Sequence, residues 1–149
     1  MHHQLLRILA LLFIVLVLLQ SILGGALLVL LAGWSPDDIT RYYSDKSLHG
    51  LIETLAPHTL FISIALMGTL HFLGFISTVS EKQKGRLIHL LFGLFILDQS
   101  SPVLINLGVN FFAGVKLLAF IGFECALALS LIVIFRGFLQ DSLSHHPAG

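Results

Sequence analysis

From Leu5 to Ala32 the chain is apolar except for Arg7, Gln20, Ser21 and the pair Gly24-Gly25. That run is longer than the roughly 7–15 residues of a signal-peptide core, and it exceeds the roughly 20 residues that cross a bilayer core about 30 Å thick. It predicts a retained membrane-spanning helix, so lipid is the solvent in which the rest must fold. Composition agrees: 56% of the 149 residues are hydrophobic and 11% are charged, against about 25% charged residues in a typical soluble domain.

Further apolar runs predict an all-α, integral membrane four-helix bundle in one domain, with spans at about 5–33, 57–79, 87–107 and 113–136. Gly33-Trp34-Ser35-Pro36 ends the first span, with Trp34 at headgroup level. Residues 34–50, carrying Asp37, Asp38, Arg41, Asp45 and Lys46, read as an outer polar loop with two interfacial tyrosines, Tyr42 and Tyr43. Ser47 to Ala56 suits a short interfacial helix. Pro57 then opens the second span, or else kinks one long helix. Glu81 to Arg86 is read as a net-positive turn before the third span. That span meets Asp98-Gln99-Ser100-Ser101-Pro102 early, which predicts a third helix broken or short near Asp98 to Pro102. Residues 140–149 read as a flexible tail.

Arg7, Lys82, Lys84, Arg86 and Arg136 fall on one side of this topology, and Arg41 and Lys46 on the other. The positive-inside rule therefore predicts cytoplasmic N and C termini for a multi-pass protein of a cell inner membrane. Gly122, Ala126 and Ser130 recur at every fourth position, as do Ser21 and Gly25, which permits close helix approach. The partners implied are the lipid bilayer and, in addition, a homo-oligomer or other membrane subunits. With a formal net charge of +0 and no basic patch interleaved with aromatics, nucleic acid is not among them. The single cysteine, Cys125, makes neither an internal disulfide nor a CxxC pair.

Ionisable groups at membrane depth cost at least about 2.5–3.5 kcal/mol, so each requires a partner, water or a purpose. His71, Asp98 and Glu124 are expected near one midplane layer, with Lys116 snorkelling outward or pairing with Asp98. This His71, Asp98, Glu124 and Lys116 set forms the candidate polar network, serving as interhelical glue or as a proton path.

Three histidines, His58, His71 and His89, are candidate haem b ligands, although the 13-residue step from His58 to His71 leaves them about 140° apart on a straight helix. His49 and Glu53, one turn apart, form with His58 a candidate metal set. No nucleophile elbow, HExxH, P-loop or dinucleotide fingerprint occurs. The functional expectation is a small polytopic subunit or accessory component without catalytic activity of its own. The alternatives are a redox subunit binding haem b or quinone, and a small proton- or ion-coupled transporter or channel.

Overall fold

A computed structural model describes residues 2–144, with side chains described from 5 to 140. Within these residues the chain is helical and contains no strand. Helix α1 (His2–Leu27) runs on through a π-helical stretch, Leu28–Ala32; α2 (Pro36–Ser44), α3 (Leu48–Gly74), α4 (Glu81–Asn106) and α5 (Phe112–Ser144) follow. Four segments are long and apolar enough to cross a membrane: Leu5–Ala32, Leu48–Gly74, Glu81–Asn106 and Phe112–Gln140. Large apolar side chains cover the outside, Leu30 being 80% exposed, Phe111 77% and Leu118 72%. In water such a surface drives association, whereas in hydrocarbon it is the solvated face.

The helix boundaries follow from caps, and several differ from those expected of the sequence. Residues 34–50 are not simply a loop, because they contain α2. Ser35 caps α2 by accepting from the Asp38 backbone N–H at 3.1 Å, Pro36 fills the first turn, and Asp37 and Asp38 face the positive end of the helix dipole. One face of α2 is apolar, so Ile39 and Tyr43 are buried and Tyr43 is not the interfacial residue anticipated. Gly33 turns the chain from α1 into α2 with φ of 78°, a region closed to side chains, and a Cβ there would meet the Asp38 Cβ at 2.7 Å. Gly33→Ala should therefore cost about 1–2 kcal/mol in reversible unfolding. Gly85→Ala is the control, since a Cβ at that helical position meets nothing within 4 Å, and it should stabilise slightly.

Helix α3 is continuous from Leu48, capped by Ser47, so Pro57 is an interior residue and not the start of a span. Its missing N–H falls in the first turns, near the end of the bundle, where the freed carbonyl lies close to the polar boundary. Helix α4 starts at Glu81 because Ser80 and Gln83 form a capping box; the segment read as a turn is its first helical turn. Lys84 bonds Glu81 at 2.8 Å and reaches the Gly74 carbonyl at 3.4 Å, satisfying an end group of α3.

The expected break at Asp98 to Pro102 is absent, and α4 passes through Pro102 to Asn106. Proline removes one backbone donor from a helix that is otherwise packed and polar at that level. The Ser100 and Ser101 hydroxyls bond the Ile96 and Leu97 carbonyls one turn back, and the Asp98 and Gln99 side chains are answered from neighbouring helices. Helix α5 continues to Ser144, into the stretch expected to be tail, and residues 145–149 lie outside those described.

Three apolar clusters fill the bundle. The central one joins Val17, Leu66, Leu91, Phe123 and Leu127. Another sits under α2 around Ile39, Leu51 and Ile105, and the third lies at the opposite end around Phe72, Ile76 and Ile134. Helices α4 and α5 pack most extensively. The small residues of α5 serve this packing: Ala126 and Ser130 are buried, and Gly122 lets Leu94 approach to 3.2 Å of where its Cβ would stand. By contrast α1 and its π-helical end bury only Ala10, Val17 and Ala32 among their described side chains, so α1 is the loosest wall of the bundle.

Candidate functional site: a polar chain beside a cleft

The two ionisable residues buried deepest find each other. Lys116 of α5 donates to Asp98 of α4 at 2.5 Å, and both side chains are buried. Lys116 thus does not snorkel outward. It lies about 6 Å inside α5 and Asp98 about 12 Å inside α4 from the same end, a difference that the lysine stem spans. The second Asp98 oxygen accepts from Gln99 Nε2 at 2.7 Å, and Gln99 Oε1 accepts from the Thr59 hydroxyl of α3 at 2.7 Å. Thr59, Gln99, Asp98 and Lys116 form one hydrogen-bonded chain across three helices. Among the described residues no buried side-chain nitrogen or oxygen lacks a partner. An ion pair at membrane depth is tolerable only in that condition.

Beside this chain lies a cleft of about 350 Å³, walled by α1 on one side and by α3, α4 and α5 on the other, and roofed by Tyr42, Tyr43 and Lys46 at the α2 end. Asp98, Gln99 and Lys116 border it, together with His58 of α3 and Glu124 of α5. Glu124 is within hydrogen-bonding reach of Ser21 on α1, and it lies in electrostatic range of Asp98. His58 lies in electrostatic range of both Lys116 and Asp98, and it has no hydrogen-bond partner among the described residues. The roofing phenol of Tyr43 has its pKa pushed far up, first by burial and then by the nearby Asp98 carboxylate, so it remains a neutral donor.

The polar layer therefore contains His58 where the sequence suggested His71. The reason is the start of α3: beginning at Leu48 and not at Pro57 shifts every depth along that helix by nine residues, about 13 Å. His58 then lies about 15 Å in from the α2 end, between Asp98 at about 12 Å and Glu124 at about 18 Å. His71 is carried to the opposite end, exposed and edge-on to Phe75 with ring centroids 5.0 Å apart. The Ser47 cap was the signal for this, because it marks a helix start ahead of the proline.

Among the described residues, α3 does not bring His58 and His71 to one haem iron. His58 and His71 are about 20 Å apart along α3, and His89 is exposed on α4 with Nδ1 2.7 Å from the Gly85 carbonyl. The metal set does not assemble either. His49 and Glu53 pair at 3.1 Å on the exposed start of α3, but His58 is nine residues beyond His49, about 180° around the helix. Among the described residues no group of three His, Cys, Asp or Glu side chains is placed to hold a metal ion.

Four apolar spans, a charge-balanced interior and an apolar exterior define a small multi-pass membrane protein whose solvent is the lipid bilayer. Residues 33–144 match the family model Aq_1264_TM, a transmembrane helical domain, and the chain belongs to that family. No curated protein and no solved structure matches it. The matched segment comprises α2 to α5 and leaves out α1, the helix that closes the cleft.

Proposed function

We propose that the protein is an accessory or subunit component of a membrane whose cleft holds an amphiphile drawn from the lipid phase. The observation that carries this reading is the cleft itself: about 350 Å³, lined mainly by apolar side chains, with His58, Asp98, Gln99, Lys116 and Glu124 of α3, α4 and α5 among its few polar groups. Concave, largely apolar sites with a few convergent polar groups are the usual form of a small-molecule site. Loose packing of α1 supports entry from the side, because a lipid-soluble molecule reaches the cleft by parting α1 from the bundle without crossing the polar boundary.

Within this proposal both termini face the cytoplasm of a cell inner membrane. The support is the excess of Arg7, Lys82, Lys84, Arg86 and Arg136 at the end carrying the termini, over Arg41 and Lys46 at the α2 end. A cysteine placed at Gln83 should be shielded from an impermeant reagent in intact cells, and labelling from outside would reverse the orientation.

The cleft is tested by filling it. Gly24 lines it, and a Cβ there would meet nothing within 4 Å. Gly24→Phe should leave the thermal midpoint close to that of the wild type while reducing the amphiphile extracted from the purified protein about tenfold or more. An unchanged mass-spectrometric profile of bound molecules in that variant would remove the cleft as a binding site.

A further inference from the structure

We propose that the ligand of this cleft is a neutral, lipid-soluble ring carbonyl compound of the quinone class, its head between His58 and Glu124 and its tail beside α1. This rests on the cleft being a ligand site and goes further by naming the ligand's chemistry. Charge decides first. The carboxylate and ammonium side chains bordering the cleft are Lys46, Lys116, Asp98 and Glu124, two of each kind. Lys116 is held by Asp98, and Lys46 lies over the Tyr42 ring, 4.6 Å from its centroid, at the roof.

A carboxylate or phosphate head would find at depth only Lys116, whose charge Asp98 already balances. A cationic head would meet Glu124 only under the repulsion of Lys116. Either would leave an unbalanced charge inside the bilayer, which low dielectric penalises heavily. A neutral head disturbs none of this balance.

Hydrogen bonding decides next. The Thr59, Gln99, Asp98 and Lys116 chain commits both Asp98 oxygens, and the other polar groups lining the cleft include the Gln20 amide, the His58 imidazole, the Glu124 carboxyl beside Ser21 and, at the roof, the Tyr43 phenol. Imidazole carries one donor and one acceptor nitrogen, a carboxyl donates or accepts with its protonation, and a phenol donates. These groups are matched to a head whose oxygens accept as carbonyls and donate as hydroxyls, which is the property of a quinone and its quinol. A plain alcohol would use one group and a hydrocarbon none. The volume, near the lower end of the roughly 300–1,000 Å³ of small-molecule sites, holds a ring and the start of a tail. The remainder of a long tail leaves past α1 into lipid.

The full chain in detergent is titrated with a decyl-tailed benzoquinone and, in parallel, with decanoate, decyltrimethylammonium and decanol, following the thermal midpoint and the infrared band of ¹³C-labelled quinone carbonyls. The quinone should bind about tenfold or more tightly than each of the other three, with a carbonyl band lowered by hydrogen bonding. His58→Leu should weaken the quinone about tenfold and return the band towards its free position.

Equal affinity for decanol, or a carbonyl band unmoved on binding to the wild-type protein, overturns the quinone assignment without reference to any variant. Preferential binding of decanoate or of the cationic amphiphile overturns it too, while leaving the cleft a ligand site. If no amphiphile binds and none is extracted from the purified protein, the cleft reading fails together with it.

Discussion

Asp98→Leu should destabilise the bundle by about 3–5 kcal/mol, the largest loss expected of any single substitution in the chain. The carboxylate is buried against Lys116 and also accepts from Gln99. Removing it leaves an ammonium at membrane depth without a counter-charge and an amide N–H without an acceptor, and both groups are costly when unpaired. Lys116→Met should do comparable damage by stranding the carboxylate.

The double replacement, Asp98→Leu with Lys116→Met, removes both charges and restores an apolar contact of similar volume. It should recover a large part of the loss, leaving mainly the cost of the unanswered Gln99 amide. A double-mutant cycle on the detergent-solubilised protein measures this as a coupling of about 2–3 kcal/mol. Additive losses in the two single variants would mean that the two side chains do not depend on each other. Asp98→Asn separates charge from hydrogen bonding, because it keeps an acceptor for Gln99 while abolishing the negative charge.

Why some of this arrangement could be read from the chain and some could not has a physical explanation. Four spans were legible because the bilayer imposes a length and a composition on any helix that crosses it, and those survive without knowledge of tertiary contacts. The requirement that Asp98 and Glu124 find partners was legible for the same reason, since hydrocarbon offers none, whereas the length of the Lys116 stem favoured snorkelling over the pairing with Asp98 that the fold adopts. The placement of α3 was harder to read, because Pro57 and the cap at Ser47 compete as start signals and only packing decides between them. The error spread from there: a start nine residues late moved His71 into the polar layer and His58 out of it. Pro102 misled in the same way. A proline inside a helix is a break signal by local propensity, yet here α4 stays continuous in a stretch where Asp98 and Gln99 are tied laterally to α5 and α3 and Ser101 and Pro102 are buried. Helix α2 carried its own signature in Ser35-Pro36-Asp37-Asp38, and its polarity disguised it as a loop.

Asn106→Leu should release α2 from the bundle and cost about 2 kcal/mol. Its side-chain amide donates to two carbonyls near the end of α2, those of Tyr43 and Lys46, each at 2.8 Å, and so joins positions about sixty residues apart in sequence. Carbonyls at a helix C-terminus have no partner within the helix, and here a single side chain from the last turn of α4 supplies two. Leucine fills the volume and supplies neither bond. Because Tyr42, Tyr43 and Lys46 roof the cleft, the loss should be local before it is global. Backbone amides of residues 37–46 should exchange with solvent about tenfold to a hundredfold faster, while those in the facing stretches of α4 and α5 keep their protection. Asn106→Asp keeps the size but replaces both donors with acceptors facing carbonyls, so it should loosen α2 at least as much. Unchanged exchange in α2 for both variants would show that the apolar contacts of Ile39 and Tyr43 hold it alone, and the roof would then be fixed by burial and not by hydrogen bonding.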